Sequence, residues 1–165
     1  MMDIKPAKTP SDYKQIETLA DTIWREHYIP MEGKLQVDYM LDKYQSVQAI
    51  TKQIDQGFAY FLLKVEKTSV GYIAFKKENR MLFLSKIYVL KHYRGKKIGK
   101  RAMAFVEEQA KSCQLKSIRL TVNKHNTGAI HAYQQLGFKN MGSVVLDIGN
   151  GFVMDDFEME KHIPD

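Results

Sequence analysis

The segment KHYRGKKIGKRAM, residues 91–103, concentrates positive charge and flexible backbone in one place. It contains six Lys or Arg side chains, two Gly residues and no acid in thirteen positions. Apolar residues recur at helical spacing from Ile98 onward, and a run rich in branched and aromatic residues, 81–90, precedes the segment. We therefore predict a loop that leaves a strand and enters a helix.

A loop of this kind can hold an anion. The first N–H groups of a helix lack intrahelical partners, and the helix dipole favours negative charge at that end. Gly95 and Gly99 allow a ligand close to the backbone, and the cationic side chains can add charge-assisted hydrogen bonds. A diphosphate fits this arrangement, although dinucleotide and P-loop glycine patterns are absent. The loop alone is equally compatible with a solvated helix terminus or a nucleic-acid patch.

Asn126 and Tyr133 are two further residues whose side chains could take part in binding or catalysis. Asn126 is predicted to be the N-cap of a helix that Gly137 ends. At about 100° per residue, a spacing of seven places the two side chains within about 20° of each other on the helix. An amide and a phenol could thus face one groove, although a simple cap and a core aromatic would give the same pattern.

The elements around these residues predict an α/β domain. The order is a short strand and a helix-rich start, three strands, a helix, a strand, a helix and two strands about the Asn150-Gly151 turn. Pro30 is expected to stop the first helix. A chain of 165 residues with 44% hydrophobic content has room for one core, so residues 1–165 are predicted to be a single domain.

Composition excludes several classes of protein. A single cysteine, Cys113, excludes an internal disulfide and a Cys-rich metal site, and no metal is expected. No apolar stretch is long enough for a membrane span, and the first ten residues carry no secretory signal, which predicts a cytoplasmic protein without a membrane partner. The net charge of +6 suits an anionic partner.

Three segments carry a resemblance to a known family: IYVLKHYRGKKIGKRAM, IRLTVNKHNTGAIHAYQQLGF and FVMDDFEMEK. They resemble the GNAT superfamily of acyl-CoA N-acyltransferases over about residues 71–161. The resemblance implies a mixed, mostly antiparallel central sheet flanked by helices, with a splayed strand pair that binds CoA. It also implies acetyl-CoA as the cosubstrate.

The same resemblance assigns site residues. The family pattern Gln/Arg-x-x-Gly-x-Gly/Ala for the CoA pyrophosphate begins at Arg94 and ends at Gly99, but its first glycine is Lys97 here. Lys97 keeps the N–H donors if its backbone is helical. Tyr133 is implied to protonate the departing sulfur. The implied cofactor-binding residues are Ile87, Tyr88, Val89, Arg94, Gly95, Lys96, Lys97, Ile98, Gly99, Lys100 and Asn126.

The base that deprotonates the amine is not evident. Many relatives place a glutamate on the strand before the loop, but the alternating positions here are Phe83, Ser85, Ile87 and Val89. A water chain remains open, and the candidate side chains are Glu26, His27, Glu32 and His92. Glu32 and Ser85 are also predicted to bind the acceptor.

Acids in MDDFEME would attract a cationic amine, although strand alternation prevents Asp155, Asp156, Glu158 and Glu160 from all facing one pocket. The predicted function is transfer of an acetyl group to a primary amine. The general layout resembles the bacterial spermidine and spermine acetyltransferases, while a protein N-terminus, a lysine side chain or an aminoglycoside stays open.

A non-catalytic CoA-sensing module is the alternative, but it would not need Tyr133. A nucleic-acid partner is not expected, because no stacking platform or recognition helix accompanies the basic stretch. The family often dimerises through its C-terminal strands, which implies a homodimer.

Overall fold

The computed structural model describes residues 2–164. This part of the chain contains seven strands and five α-helices. The strands are β1 (Met2–Pro6), β2 (Ala59–Val65), β3 (Thr68–Glu78), β4 (Met81–Val89), β5 (Ser117–Asn123), β6 (Lys139–Gly149) and β7 (Phe152–His162). The helices are α1 (Pro10–Glu32), α2 (Lys34–Gln45), α3 (Val47–Asp55), α4 (Ile98–Ser112) and α5 (Thr127–Gln135).

The chain divides into two compact units, and the first holds the residues up to Lys76 together with Lys86–Val106. Its strands follow the order β1-β2-β3 and then the end of β4, with antiparallel pairing in β1–β2 and β2–β3. One face carries aromatic side chains that pack on α1, and Trp24 lies 5.6 Å from the Tyr88 ring. On the opposite face Phe61 meets Phe105 of α4, with ring centroids 5.0 Å apart.

The second unit holds Lys77–Ser85 and the chain from Glu107 onward. Its strands follow the order β4-β5-β7-β6, and only β4 and β5 are parallel. The parallel register joins Met81–Phe83 to Ser117–Arg119, whereas β5 continues to Asn123. A mixed, mostly antiparallel sheet flanked by helices is therefore confirmed.

Two predicted boundaries were wrong. Pro30 lies inside α1, which continues to Glu32 and ends at Gly33, whose N–H donates to Ile29 O over 2.9 Å. A proline within the last turn removes only one hydrogen bond, so the helix can run past it. The final two strands, predicted within residues 144–160, are longer, because β6 begins at Lys139 and accommodates bulges next to Gly142 and Gly149.

None of the helices described between residues 2 and 164 combines the length and apolar character needed to cross a bilayer. The single domain predicted from length and composition stays a prediction.

Candidate active site

The basic loop follows β4 directly and turns sharply into α4. A short 3₁₀ turn, Lys91–Tyr93, comes first, and Gly95 follows with φ of 78°, which glycine adopts without strain. The helical hydrogen bonds begin where Arg101 N–H donates to Lys97 O over 3.0 Å. The N–H groups of Ile98, Gly99 and Lys100 therefore belong to the first turn, where intrahelical acceptors are lacking.

An open cavity of about 390 Å³ lies at this helix terminus. Its lining consists of Val89, Arg94, Gly95, Lys97, Ile98, Gly99 and Lys100. All of these residues were among the predicted cofactor-binding set, whereas Ile87, Tyr88, Lys96 and Asn126 do not line it. A Cβ placed on Gly95 or on Gly99 would meet no heavy atom within 4 Å, so space is free directly above the backbone. The donors and the space fit a diphosphate.

Lys97 does not have the helical backbone on which its predicted role depended. Its φ is 65°, in the left-handed region where glycine is the default residue. The main chain therefore follows a path suited to the glycine of the family pattern, although a lysine stands there. We expect this conformation to cost about 1 kcal/mol relative to glycine.

Arg94 contacts the backbone of the preceding strand. Its Nε donates to the carbonyl oxygen of Val89 over 3.2 Å, although the side chain is exposed. Lys96 Nζ lies 5.4 Å from the centre of the Tyr93 ring. None of the six Lys and Arg residues of the segment 91–103 forms an ion pair within the described residues 2–164. The positive charge of the loop is thus not neutralised by acidic side chains of residues 2–164.

Tyr88 points its side chain into an aromatic group rather than into the cavity. Its hydroxyl lies 2.9 Å from the Tyr28 hydroxyl, and its ring lies 5.6 Å from both Trp24 and Tyr72. His27 packs against Tyr28 with ring centroids 4.9 Å apart. This group attaches the end of β4 to α1 and β3.

Asn126 and Tyr133, the predicted pantetheine contact and general acid, lie in the second unit. Asn126 is the N-cap of α5, as predicted, and its Oδ1 accepts from Ala129 N–H over 3.3 Å. Its side chain is buried. Tyr133 is half-buried, and its ring lies 5.8 Å from the Phe138 ring.

The acids of β7 are mostly engaged by cations. Arg119 of β5 pairs with Glu158 over 2.7 Å and with Glu160 over 2.8 Å. Lys124 pairs with Asp155 over 2.7 Å. Asp156 is 2% exposed. These four acids therefore do not form the open acidic patch that was expected to attract a cationic amine.

The residues predicted for the acceptor and the base occupy varied environments. Glu32 lies half-buried at the end of α1, and Ser85 lies half-buried on β4. Glu26 and His92 are exposed, while His27 is half-buried. Within the described residues, no group of three or more His, Cys, Asp or Glu side chains could hold a metal ion.

Sequence reasoning missed Lys86. Burial lowers the pKa of its ammonium to about 8. The position alternates with the apolar residues Leu82 and Leu84, which are buried, so strand periodicity could have indicated an inward-facing lysine. At pH 8 about half of such a group is neutral and able to accept a proton.

Comparison with known proteins identifies the family. Residues 16–138 match the model of the acetyltransferase (GNAT) family. A probable spermine N(1)-acetyltransferase of Bacillus subtilis subsp. natto (strain BEST195) is 32% identical over 68 residues, which are 41% of this chain and 45% of that protein. The match thus covers less than half of that relative.

Solved structures share the fold. The PaiA N-acetyltransferase of Thermoplasma acidophilum, in complex with coenzyme A, has a TM-score of 0.83 at 21% identity. The superposition covers 98% of this chain and 99% of that chain. The ribosomal-protein-S18-alanine N-acetyltransferase of Escherichia coli has a TM-score of 0.76 at 16% identity, covering 100% and 96%. Because the family model matches most of its length, the chain belongs to the acetyltransferase (GNAT) family.

Proposed function

We propose that the protein transfers the acetyl group of acetyl-CoA to a primary amine of a small polyamine-like molecule or a peptide. The observation that carries the proposal is the open cavity at the start of α4, with its first-turn N–H groups and unneutralised cations. The first turn of α4 holds the diphosphate through its N–H groups, and Arg94, Lys97 and Lys100 add positive charge. Acetyl-CoA supplies an activated thioester.

The amine must lose a proton before it attacks. With an ordinary pKa near 10.4, deprotonation at pH 7 costs about 4.6 kcal/mol. The side chains that could take this proton are Glu26, His27, Glu32, His92 and Lys86. Burial that lowers the pKa of Lys86 to about 8 supports its inclusion. A backbone N–H, that of Val89, is the proposed donor to the negative charge that develops on the thioester oxygen.

Tyr133 is the proposed general acid for the departing sulfur. A phenol with an ordinary pKa near 10 stays protonated at neutral pH and can donate. The thiolate is already a fair leaving group, with a conjugate-acid pKa near 8.5. Tyr133→Phe should therefore lower kcat by about ten- to a thousandfold while CoA affinity stays nearly unchanged. Tyr39→Phe in α2 is a matched control, and unchanged turnover in Tyr133→Phe with chemistry rate-limiting would refute the assignment.

Two relatives each support one class of acceptor. The partial match to a probable spermine acetyltransferase supports a polyamine, and Glu32 and Ser85 are its proposed contacts. The E. coli enzyme of similar fold is an N-acetyltransferase for an alanine of ribosomal protein S18, and this supports a peptide amine as the second class of acceptor. The cation pairing of Glu158 and Glu160 removes two acids from the group that could attract a polyamine.

A thiol-release assay with acetyl-CoA tests the function directly. The acceptors are spermidine, spermine, amino acids, peptides with a free N-terminus, and aminoglycosides. We expect turnover with a polyamine or a peptide. Release with none of them, in a protein whose melting temperature rises with CoA, would instead support a non-catalytic CoA sensor.

A homodimer through the C-terminal strands is part of the proposal. Apolar side chains at Met141, Val145, Leu146 and Val153 are exposed on β6 and β7 and are compatible with such an interface. Light scattering that shows a monomer at high concentration would remove it. The cytoplasmic address likewise stays a prediction, testable by cell fractionation.

A further inference from the structure

Strand β3 approaches the end of β4 very closely at Gly71. A Cβ built on Gly71 would lie 2.3 Å from the carbonyl oxygen of Tyr88 and 3.1 Å from Val89 Cα. Real Cβ atoms essentially never come within 3.0 Å of a non-bonded heavy atom. Because the obstacle is backbone and not the tip of a flexible side chain, any substitution must displace β3 or β4.

The same part of β4 is held by two hydrogen bonds. Leu90 N–H donates to Val70 O over 2.8 Å, which ties the strand end to β3. Arg94 Nε donates to Val89 O over 3.2 Å, which ties it to the loop. Val89 also lines the cavity at the start of α4. The position of its peptide thus depends on β3 and on the loop together.

We propose that Gly71 is a positioning residue for the CoA site. The absence of a side chain lets β4 lie against β3, and this sets the Val89 peptide where Arg94 can reach its carbonyl oxygen. Arg94 therefore contributes in two ways: its Nε holds the carbonyl oxygen of Val89, and its charge attracts the diphosphate. The inference rests on the proposed assignment of the cavity to CoA.

Gly71→Ala tests the proposal through CoA affinity. We expect the Kd for CoA, measured by calorimetry, to rise at least tenfold and the KM for acetyl-CoA to rise with it, and we expect kcat to fall as well, because the displaced Val89 peptide carries the proposed oxyanion donor. Gly128→Ala is the matched control, because its Cβ would meet no heavy atom within 4 Å. A wild-type Kd in Gly71→Ala would overturn the inference.

A double-variant cycle separates this role from general destabilisation. Arg94→Lys keeps the charge but loses the Nε contact with Val89 O, so its Kd should rise about three- to tenfold in the wild-type background. In the Gly71→Ala background the same change should have little effect, because the contact is already lost. Losses that multiply in the double variant would show two independent effects and contradict the proposal.

Two further comparisons keep the outcome decisive. Ile118→Val, in the buried part of β5, should lower the melting temperature without changing the Kd for CoA, so instability alone is excluded as the cause. If Gly71→Ala does not fold, Arg94→Lys decides alone, and an unchanged Kd overturns the inference. Wild-type protein that fails to bind CoA would overturn the proposed function instead.

Discussion

The basic loop between β4 and α4 and the acidic strand β7 are both dense runs of charge, but their environments differ. The cations of the loop have no acidic partners within residues 2–164 and surround an open cavity. Three of the four acids of β7 are paired with Arg119 or Lys124, and the fourth, Asp156, is buried. A charge run therefore indicates a ligand site only where the fold leaves it unneutralised beside free backbone donors.

The loop should be sensitive to a single negative charge. Gly99→Glu would place a carboxylate in the cavity, where it would repel and block a diphosphate. We expect the Kd for CoA to rise by more than a hundredfold and the CoA-induced shift in melting temperature to disappear. Ala104→Glu adds the same charge to the exposed face of α4 and should change neither quantity. A wild-type CoA-induced shift in the melting temperature of Gly99→Glu would show that the cavity at the start of α4 does not hold the diphosphate.

Lys86 extends the comparison to a half-buried cation on the strand before the loop. Its pKa of about 8 lies below the ordinary value, so the unfolded chain binds more protons between pH 8 and about 10.5. The free energy of unfolding of the wild type should therefore rise across this window, and the cost of burying the charge is fully present below pH 8.

Lys86→Met should remove both effects. The variant is expected to be more stable than wild type at pH 7, with a difference that shrinks toward pH 10.5. Urea unfolding at several pH values measures this, and Lys52→Met, at an exposed position of α3, is the control. A difference that is independent of pH would show that Lys86 has an ordinary pKa.

The acids of β7 should respond to loss of their partner mainly through stability. Arg119→Gln leaves Glu158 and Glu160 unpaired, and half-exposed pairs contribute only about 0–1 kcal/mol each. We expect the free energy of unfolding to fall by about 1 kcal/mol, with kcat/KM for the acceptor within twofold of wild type. A marked fall in KM for a polyamine would mean that the freed acids do face the acceptor.

The smallest expected effect is at Lys97. Lys97→Gly relieves a left-handed backbone but makes the unfolded chain more flexible, so a net gain of about 0.5 kcal/mol is expected. The Kd for CoA should rise only about threefold, because the loop path is preserved and only the exposed charge of Lys97 is lost. Chemical denaturation measures the gain. A loss of stability would contradict the conformation described here.

Local features were predictable from the sequence. The cap at Asn126 and the start of α4 at Ile98 depend on residues within one or two helical turns. The hairpin between β2 and β3 follows from two branched, aromatic runs and a short turn. Family resemblance predicted eleven cofactor-binding residues, and seven of them line one cavity, but their role in binding CoA stays a prediction.

Other features depend on residues that are distant in the sequence. Arg119 and Glu160 are 41 positions apart and pair only because β5 and β7 are in register. The left-handed conformation of Lys97 was likewise missed, since a lysine does not indicate positive φ. The neutralisation of β7 and the strain at Lys97 therefore required the folded structure.

By itself the sequence determined the order of helices and strands, the helix caps and the basic strand-to-helix loop, because hydrogen bonds and dipoles within one turn of chain set them. Only the tertiary structure decided which charges are neutralised, how deeply Lys86 is buried and how closely Gly71 approaches Tyr88. The physical reason is that desolvation, ion pairing and steric contact depend on which strands become neighbours. The register between paired strands sets the distance between their side chains, and the sequence of one strand alone does not determine that register.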